Sequence, residues 1–314
     1  MLTLAFKRII VSAMALLALL TANTKTEFAD SCAAYDFPRI VAEEQAPGTL
    51  RIMSFNIRCG DVNGVQIKER REIMLRQIRE IMPDSLGVQE STAEWMQTLC
   101  FLLPEYGWVG VERENGGWPL SSGESCPIFY LKSKFLALKW GNFWLSETPD
   151  KPSFGPGDGC KRICTWVLLL DRQTGQRIVH VNTHFENRSE DARLLGADVV
   201  KRFVAERFPG VPVVFTADMN ESEKGAAYAS MTQVFTDTRF AAKDSVFYGT
   251  YHGGRDLASR ENGCIDFVLC TDQFAVEAYR TVTAGVDNRY TSDHFPIYAD
   301  LKLPLSCPFG AAAN

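Results

Sequence analysis

The sequence lacks the features that mark several common classes of protein. No two of its nine cysteines have the Cys-x-x-Cys spacing, which argues against a zinc knuckle. The net charge of −5 leaves no excess of lysine and arginine with which to coat a long nucleic acid. We also find no internal repeat, low-complexity tract or linker in the 314 residues. A single domain without a nucleic-acid-coating surface is therefore expected.

The composition that is present is typical of a globular protein. Hydrophobic residues make up 46% of the chain and aromatic residues 11%, enough to build a sizeable core. Charged residues account for 23%, an ordinary fraction that excludes wholesale disorder.

The first 22 residues resemble a secretory signal peptide. Lys7 and Arg8 precede an apolar run from Ile9 to Leu20 that only Ser12 interrupts. A run of this length is too short to span a bilayer as a helix. We therefore expect a cleaved signal peptide at residues 1–22, a secreted or periplasmic protein, and no transmembrane anchor. A retained N-terminal anchor helix is the alternative.

The cysteines are consistent with export, although their odd number leaves at least one thiol unpaired. Cys59, Cys264 and Cys270 lie in or beside apolar runs and are expected to be small buried residues. The sequence leaves the disulfide connectivity open, with these candidate pairs: Cys32 and Cys307, Cys100 and Cys126, Cys160 and Cys164.

Hydrophobic periodicity divides the chain into a polar lead-in (23–48), a domain (49–303) and a tail (304–314). Helical spacing predicts helices over 68–82 and about 190–207, the first with its charges on the solvent face. The capping-box pattern Ser91-x-x-Glu94 predicts a further helix that begins directly after Glu90. Strands are predicted at 50–57, 85–89, 108–111, 127–130, 140–145, 164–171, 177–182, 211–216, 265–270 and 297–303. This order favours an α/β fold with two packed sheets flanked by helices.

Six short segments place carboxylate, amide and imidazole groups at the ends of predicted strands. Alone, each is more often a turn, a helix cap or a hydrogen-bonded core group. Together they form an ordered series that includes two of the four histidines. The segments are Ser54-Phe55-Asn56, Gln89-Glu90, Asn182-Thr183-His184, Asp218-Met219-Asn220, Ile265-Asp266-Phe267 and Ser292-Asp293-His294.

This series resembles the endonuclease/exonuclease/phosphatase superfamily, which includes DNase I, inositol polyphosphate phosphatases and nocturnin-like deadenylases. The resemblance covers about residues 49–303. The segments Phe143–Pro149, Arg162–Trp166 and Thr250–Gly253 are closest to bacterial exported members that resemble the nocturnin branch. The resemblance implies a four-layered α/β/β/α sandwich, DNase I-like, that hydrolyses a phosphoester with Mg²⁺ or Mn²⁺.

By the same resemblance, three residues are implied at the metal. Glu90 matches the family's metal-binding glutamate, with Asn56 beside it and Asp293 as a further acidic group. Such a sparse set of oxygen ligands suits Mg²⁺, which keeps water and substrate phosphate in its shell.

The remaining family positions imply the catalytic groups. His294 would be the general base, and Asp266 would orient its ring. Asp218 would hold the nucleophile or assist the leaving group, and Asn220 would donate to a phosphoryl oxygen. His184 would stabilise the transition state. Two family features are altered, because Ala217 precedes Asp218 and Met219 follows it where the family has glycine and an aromatic residue.

Two more residues are predicted to contact substrate. Arg162 would bind substrate phosphate, the alternative being an ion pair with an acidic neighbour. His252 lies in a Gly-rich loop of the kind that often touches ligands. His180, which shares a strand with His184 but belongs to no motif, is assigned to packing.

The identity of the substrate stays open. A small molecule or the end of a nucleic acid is expected, and the protein is expected to be a monomer. A secreted nuclease and a sphingomyelinase-type phosphodiesterase are the enzymatic alternatives. A catalytically silent binding protein on the same scaffold would have lost one of Glu90, Asp218, Asp266 or His294, and none is lost.

Overall fold

The computed structural model describes residues 45, 48–120, 122–254, 263–283 and 290–304. The predicted signal peptide, nearly all of the lead-in and the tail after Pro304 lie outside the described residues, as do Cys32 and Cys307. Among the described helices, none combines the length and apolar character needed to cross a membrane.

The described chain forms fifteen strands and five helices. The strands are β1 Leu50–Asn56, β2 Ser85–Gln89, β3 Ser91–Thr92, β4 Tyr106–Val109, β5 Glu124–Ser125, β6 Ile128–Leu131, β7 Phe135–Trp144, β8 Ile163–Asp171, β9 Arg177–His184, β10 Val213–Asp218, β11 Thr236–Asp237, β12 Asp244–Val246, β13 Asp266–Cys270, β14 Ala275–Thr281 and β15 Ile297–Lys302. The helices are α1 Ile67–Ile81, α2 Ala93–Leu102, α3 Glu190–Arg207, α4 Ala226–Met231 and α5 Thr238–Ala241.

Two large sheets carry the fold. One has seven strands in the order β12-β14-β15-β1-β2-β6-β4, and the other has six in the order β11-β13-β10-β9-β8-β7. At the centre of each sheet two neighbouring strands run parallel, β1 with β2 and β9 with β10. Strands β3 and β5 form a separate antiparallel pair.

Side chains of the central strands alternate between the two faces of each sheet and so contribute to three layers of hydrophobic core. On β1, Ile52 packs between the sheets, whereas Met53 and Phe55 face α1 and α2. On β10, Val214 lies between the sheets and Phe215 packs under α3 and α4. Helices therefore cover both outer faces, which confirms the predicted four-layered sandwich.

A buried polar network joins the two sheets near their centre. His180 on β9 contacts Ser85 Oγ at 2.7 Å and Thr216 Oγ1 at 2.8 Å through its two ring nitrogens. Burial lowers the pKa of His180 to about 3, so the ring is neutral. His180 therefore has the packing role that the sequence predicts. Gly87 lies at the same level, where the sheets approach most tightly: a Cβ there would meet Thr216 Oγ1 at 2.0 Å and Asn182 Oδ1 at 2.5 Å.

The start of α2 differs from the prediction. Thr92, not Ser91, caps the helix by accepting a hydrogen bond from Trp95 N at 3.5 Å. Ser91 instead pairs with Ser125 in the short β3–β5 sheet. The predicted capping box with Glu94 is therefore wrong, because cross-strand pairing takes the residue that would have begun it.

Two of the candidate disulfide pairs are also wrong. Cys100, Cys126, Cys160 and Cys164 are all free thiols. Cys264 and Cys270 are buried as predicted, whereas Cys59 is only half-buried. Burial raises the pKa of Cys264 and of Cys270 to about 12, which keeps both thiols protonated.

We expect Gly87→Ala to destabilise the protein, because the added methyl group has no space between Thr216 and Asn182. The overpacking should lower the free energy of unfolding by about 2 kcal/mol and the Tm by about 4–8 °C. Thermal unfolding followed by circular dichroism measures the change. Gly60→Ala is the matched control, since its added methyl group meets nothing within 4 Å. Equal Tm values for the two variants would show that the sheets are not in close contact at Gly87.

Candidate active site

The candidate active site lies where the ends of the central parallel strands of both sheets meet. Strands β1 and β2 end side by side at Asn56 and Gln89, and β9 and β10 end side by side at His184 and Asp218. The amide of Asn56 crosses between the sheets and donates to Asp218 Oδ2 at 2.9 Å. The carboxyl ends of parallel strands are a common place for ligand sites, and here two such edges face each other.

Glu90 follows β2 and is held by donors from the neighbouring loop. Its carboxylate accepts hydrogen bonds from Asn56 Nδ2 and Cys59 N, both at 3.0 Å. Burial alone would raise the pKa of Glu90, but the hydrogen bonds from Cys59 and Asn56 favour its charged form and lower the pKa below its usual range. Glu90 also has a left-handed φ of 59°, a conformation that costs a non-glycine residue of the order of 1–3 kcal/mol and clusters at functional sites.

His294 lies between two carboxylates. Its Nδ1 contacts Asp266 Oδ2 at 2.8 Å, and its Nε2 lies 3.8 Å from Asp218 Oδ2. Asp266 begins β13 directly opposite Asp218 on β10, which explains how the ring can reach both. Burial by itself lowers the pKa of His294, but the two carboxylates outweigh burial and raise it to about 10.

Asp218 is a buried carboxylate with a raised affinity for a proton. Burial and the nearby charge of Asp266 raise the pKa of Asp218 to about 7. Asp218, Asp266 and His294 lie within 4.8 Å of one another and are nearly inaccessible to solvent. The triad therefore places a carboxylate with a raised pKa next to the imidazole of His294.

His184 is a neutral imidazole on the other side of Asp218. Burial and the charge of Arg162 lower the pKa of His184 well below 6.5. Asn220 Nδ2 donates to Phe185 O at 2.9 Å and contacts His184 Nε2 at 2.8 Å. An amide nitrogen can only donate, which assigns the ring proton to Nδ1. That buried Nδ1 has no hydrogen-bond partner among the residues that the structure describes.

Asn220 itself is positioned by Asp218. Its backbone N–H donates to Asp218 Oδ1 at 2.8 Å, and its φ of 50° is left-handed. Both hydrogens of its side-chain amide are engaged by Phe185 and His184. The geometry therefore favours Asn220 as a support for His184 over the predicted donor to a phosphoryl oxygen.

A cation that the sequence analysis missed lies between Glu90 and Asp293. The Arg58 guanidinium has one nitrogen 3.8 Å from Glu90 Oε2 and another 3.8 Å from Asp293 Oδ2. Its side chain is 44% exposed, so the pair of carboxylates opens to solvent beside it. Arg58 stands two residues after Asn56, and that proximity is the only signal in the sequence that could have identified it.

A second arginine joins the loops that carry these residues. Arg70 on α1 is fully buried and donates to the carbonyl oxygens of Arg58 at 3.1 Å and Thr291 at 2.8 Å, and also to those of Ile57 and Gly60. The prediction that the charges of this helix face solvent is therefore wrong for Arg70. Carbonyl oxygens from two loops compensate its burial.

Arg162 and His252 occupy different surroundings. Arg162 is buried and donates to Glu186 Oε2 at 3.2 Å, the acidic neighbour that the sequence analysis left as the alternative. It also lines a cleft beside Glu90 and His184, so a substrate contact stays a prediction.

His252 is only 3% exposed and stacks on Phe295 at 4.2 Å between ring centroids. This burial disfavours the predicted substrate contact of His252, which stays untested; the backbone N–H of His252 donates to Asp293 O at 3.0 Å.

The donor set fits a hard divalent cation. Glu90 and Asp293 already face a common positive group, the Arg58 guanidinium. Asn56 donates through Nδ2 to Glu90 and Asp218, and its Oδ1 accepts from Arg58 N at 3.0 Å. The geometry therefore favours Asn56 as a support for Glu90 over the predicted metal ligand. Carboxylate and amide oxygens are the ligands that Mg²⁺ takes from proteins. The buried triad of Asp218, Asp266 and His294 is a second place whose groups lie close enough to enclose a cation.

Solved structures with the same fold include two bacterial relatives. An endonuclease/exonuclease/phosphatase from Bacteroides vulgatus is 32% identical, with a TM-score of 0.76 over 82% of this chain and 99% of its own. A mannosyl-6-phosphatase from Bacteroides thetaiotaomicron is 28% identical, with a TM-score of 0.75 over 80% of this chain and 99% of its own. The human nocturnin catalytic domain, 17% identical with a TM-score of 0.66 over 86% of this chain and 97% of its own, shares the fold.

Among curated proteins, none matches this sequence. The family model described as the endonuclease/exonuclease/phosphatase family matches residues 53–294, which is most of the chain. Together with the four-layered fold, this match establishes that the chain belongs to the endonuclease/exonuclease/phosphatase family.

Proposed function

We propose that the protein is a hydrolase that cleaves a phosphoester with a divalent metal, Mg²⁺ or Mn²⁺, and a water molecule activated by His294. The observation that carries the proposal is the arrangement of His294 between Asp266 and Asp218, next to the edge that bears Glu90. A general base needs an oriented ring and a free nitrogen that faces the reacting water. Asp266 takes Nδ1, which leaves Nε2 for that task.

We place the metal at Glu90 and Asp293, with Asn56 holding Glu90 through its Nδ2, rather than within the buried triad. The low pKa of Glu90 keeps its carboxylate ionised, as a metal ligand requires. In the triad, His294 already donates to Asp266, and each of the three residues is at most 5% exposed. When bound, the metal would polarise the phosphoryl group and neutralise charge that develops on its oxygens.

The proton chemistry then belongs to the triad. His294 Nε2 accepts a proton from water, and Asp266 holds the ring and stabilises the imidazolium. With Glu90 and Asp293 occupied by a divalent cation, the pKa of His294 would fall towards the range in which its ring can accept a proton. Asp218, with its raised pKa, orients the water or protonates the departing oxygen.

In this proposal, neutral His184 donates a hydrogen bond to the substrate. Its Nδ1–H is buried and available, and such a preorganised donor stabilises charge that develops on a phosphoryl oxygen. Asn220 fixes the ring through Nε2 and so acts as a positioning residue.

For the substrate we favour a small or terminal phosphoester over a long nucleic acid. The net charge of −5 offers no extended basic surface, and one bacterial relative is a mannosyl-6-phosphatase. A secreted nuclease and a sphingomyelinase-type phosphodiesterase are the alternatives that a substrate panel would separate. We expect the protein to act as a monomer.

Loss of the His294 imidazole or of the Asp218 carboxylate should strongly reduce turnover. We expect His294→Ala and Asp218→Ala each to lower kcat by about 10²–10⁴-fold, the usual contribution of a positioned acid or base. Initial rates with bis-p-nitrophenyl phosphate and p-nitrophenyl phosphate in Mg²⁺ measure the loss, and Tm values check the fold. Asp191→Asn, on the exposed face of α3, serves as control. Full activity of either site variant would refute the mechanism.

The two candidate metal positions predict opposite effects on metal binding. If Glu90 is a ligand, Glu90→Gln should weaken Mn²⁺ binding by about tenfold or more, whereas His294→Ala should bind Mn²⁺ as the wild type does. Titration calorimetry with Mn²⁺ measures both affinities without relying on turnover. EDTA should also inactivate the wild type, and Mg²⁺ or Mn²⁺ should restore it. Loss of binding in His294→Ala alone would move the metal into the triad.

We also propose that the protein is exported by the segment 1–22. The support is the sequence of that segment, with Lys7 and Arg8 before its apolar run. We expect mature protein from the native host to begin after this segment. Mass spectrometry of the N-terminus measures it, and a mature protein that still begins at Met1 would contradict export.

A further inference from the structure

A cleft next to the candidate active site is lined by two arginine–glutamate pairs. It has a volume of about 240 Å³ and shares Glu90 and His184 with the site. Its remaining charged walls are Arg113 with Glu124, Arg162 with Glu186, and the exposed Arg188 at its mouth. A substrate whose phosphate lies at Glu90 would therefore direct its other end into this cleft.

The first pair is a built feature of the loop after β4. Arg113 Nη1 and Nη2 donate to the two oxygens of Glu124 at 2.8 and 3.0 Å, a bidentate arrangement. Its backbone is held as well, because Arg113 N donates to Glu124 O at 2.9 Å and Trp144 Nε1 donates to Arg113 O at 2.7 Å. The buried Glu112 closes the same loop through the backbone N–H groups that follow it.

The second pair faces the first from the six-stranded sheet. Arg162 precedes β8 and donates to Glu186 at 3.2 Å, with side-chain exposures of 7% and 2%. In both pairs a carboxylate already neutralises the guanidinium. Arg188 is the one further cation among the described lining residues, and solvent screens its charge.

This pattern of charges selects one chemical class of occupant. A second phosphate would need a cation without a partner inside the cleft. Arg113 and Arg162 each already have a carboxylate, and Arg188 lies exposed at the mouth. An apolar group would strip water from the ion pairs without replacing their hydrogen bonds. Hydroxyl groups both donate to carboxylates and accept from guanidinium groups, so they satisfy both members of each pair.

The size of the cleft limits the size of its occupant. Pockets for drug-sized ligands typically measure about 300–1,000 Å³. At about 240 Å³ this cleft is smaller and suits one ring rather than a dinucleotide or a lipid chain.

We propose that the cleft is the leaving-group subsite and that it takes an uncharged polyhydroxyl group, a sugar or polyol, whose phosphoester lies at Glu90. The inference rests on the proposed phosphoesterase function and adds the substrate class to it. It makes Arg113 and Glu124 specificity-determining residues, which no motif in the sequence indicates.

Selectivity of the wild type is the first test. With Mg²⁺, kcat/KM for an aldohexose 6-phosphate should exceed that for a nucleoside 3′,5′-bisphosphate by about tenfold or more, since Arg113 and Arg162 are already paired and the second phosphate would meet only the solvent-screened Arg188. A preference for the bisphosphate would overturn the inference. This measurement needs no variant, so it does not depend on whether a variant folds.

A matched pair of variants is the second test. Glu124→Gln should raise KM for the aldohexose phosphate about tenfold more than KM for p-nitrophenyl phosphate, which carries no hydroxyl groups for the pair to bind. Glu114→Gln removes another carboxylate that pairs with Arg113, at 3.3 Å, but Glu114 does not line the cleft and this variant should behave as wild type. Equal KM changes for both substrates in Glu124→Gln would overturn the inference.

A binding measurement separates this inference from the proposed function. If the wild type hydrolyses no phosphoester with metal present, the proposed function fails. Calorimetric titration of the aldohexose 6-phosphate into the Asp218→Ala variant with Mg²⁺ then still tests the cleft. We expect binding that weakens about tenfold when Glu124→Gln is added. No binding, or binding unaffected by Glu124→Gln, would overturn the inference.

Discussion

Asn182 links the two sheets of the sandwich by hydrogen bonds that run directly behind the active site. Its Nδ2 donates to Val88 O at 2.8 Å on the facing sheet, and its Oδ1 accepts from Gln89 Nε2 at 2.7 Å and Thr216 Oγ1 at 2.9 Å. Gln89 directly precedes Glu90, so the bonds locate that carboxylate relative to the opposite sheet. A buried polar network connected in this way favours one arrangement of the sheets, whereas apolar packing alone tolerates small shifts. The separation of the two strand edges, and with it every distance in the site, depends on this network.

The carboxylates of the site differ in behaviour because their immediate partners differ. Glu90 accepts a backbone N–H and an amide, which favour its charge, and it faces solvent beside Arg58. Asp266 is paired with the imidazole of His294. Asp218 is buried next to another carboxylate, and its pKa is raised accordingly. One edge of the protein therefore offers a carboxylate suited to a metal, one that orients a base, and one that can carry a proton.

Much of the site could be predicted from the sequence, because Glu90, Asp218 and Asp266 stand at the ends of strands whose apolar patterns are clear. The four-layered fold could be predicted for the same reason. Arg70 could not, since its helix has an ordinary amphipathic pattern and one of the carbonyl groups that compensate its burial belongs to Thr291, 221 residues away. Strand β14 was also missed. Its sequence mixes polar and apolar residues without a clear alternation, and it is a strand because it pairs with β15.

The short β3–β5 sheet at the start of α2 connects the candidate active site with the proposed leaving-group cleft. Ser91 does not cap the helix because it pairs with Ser125, and Ser125 Oγ donates to Ser91 O at 3.0 Å. Glu124 lies opposite Thr92 in this antiparallel pair, and Glu90 directly precedes the pair, so both carboxylates line the same cleft. The two-residue sheet thus helps to set the spacing between the proposed metal ligand and the proposed specificity residue, in addition to the large sheet in which β2 ends at Gln89. Local propensity favours a helix cap at this point, and the tertiary contact overrides it where the two parts of the site must be aligned.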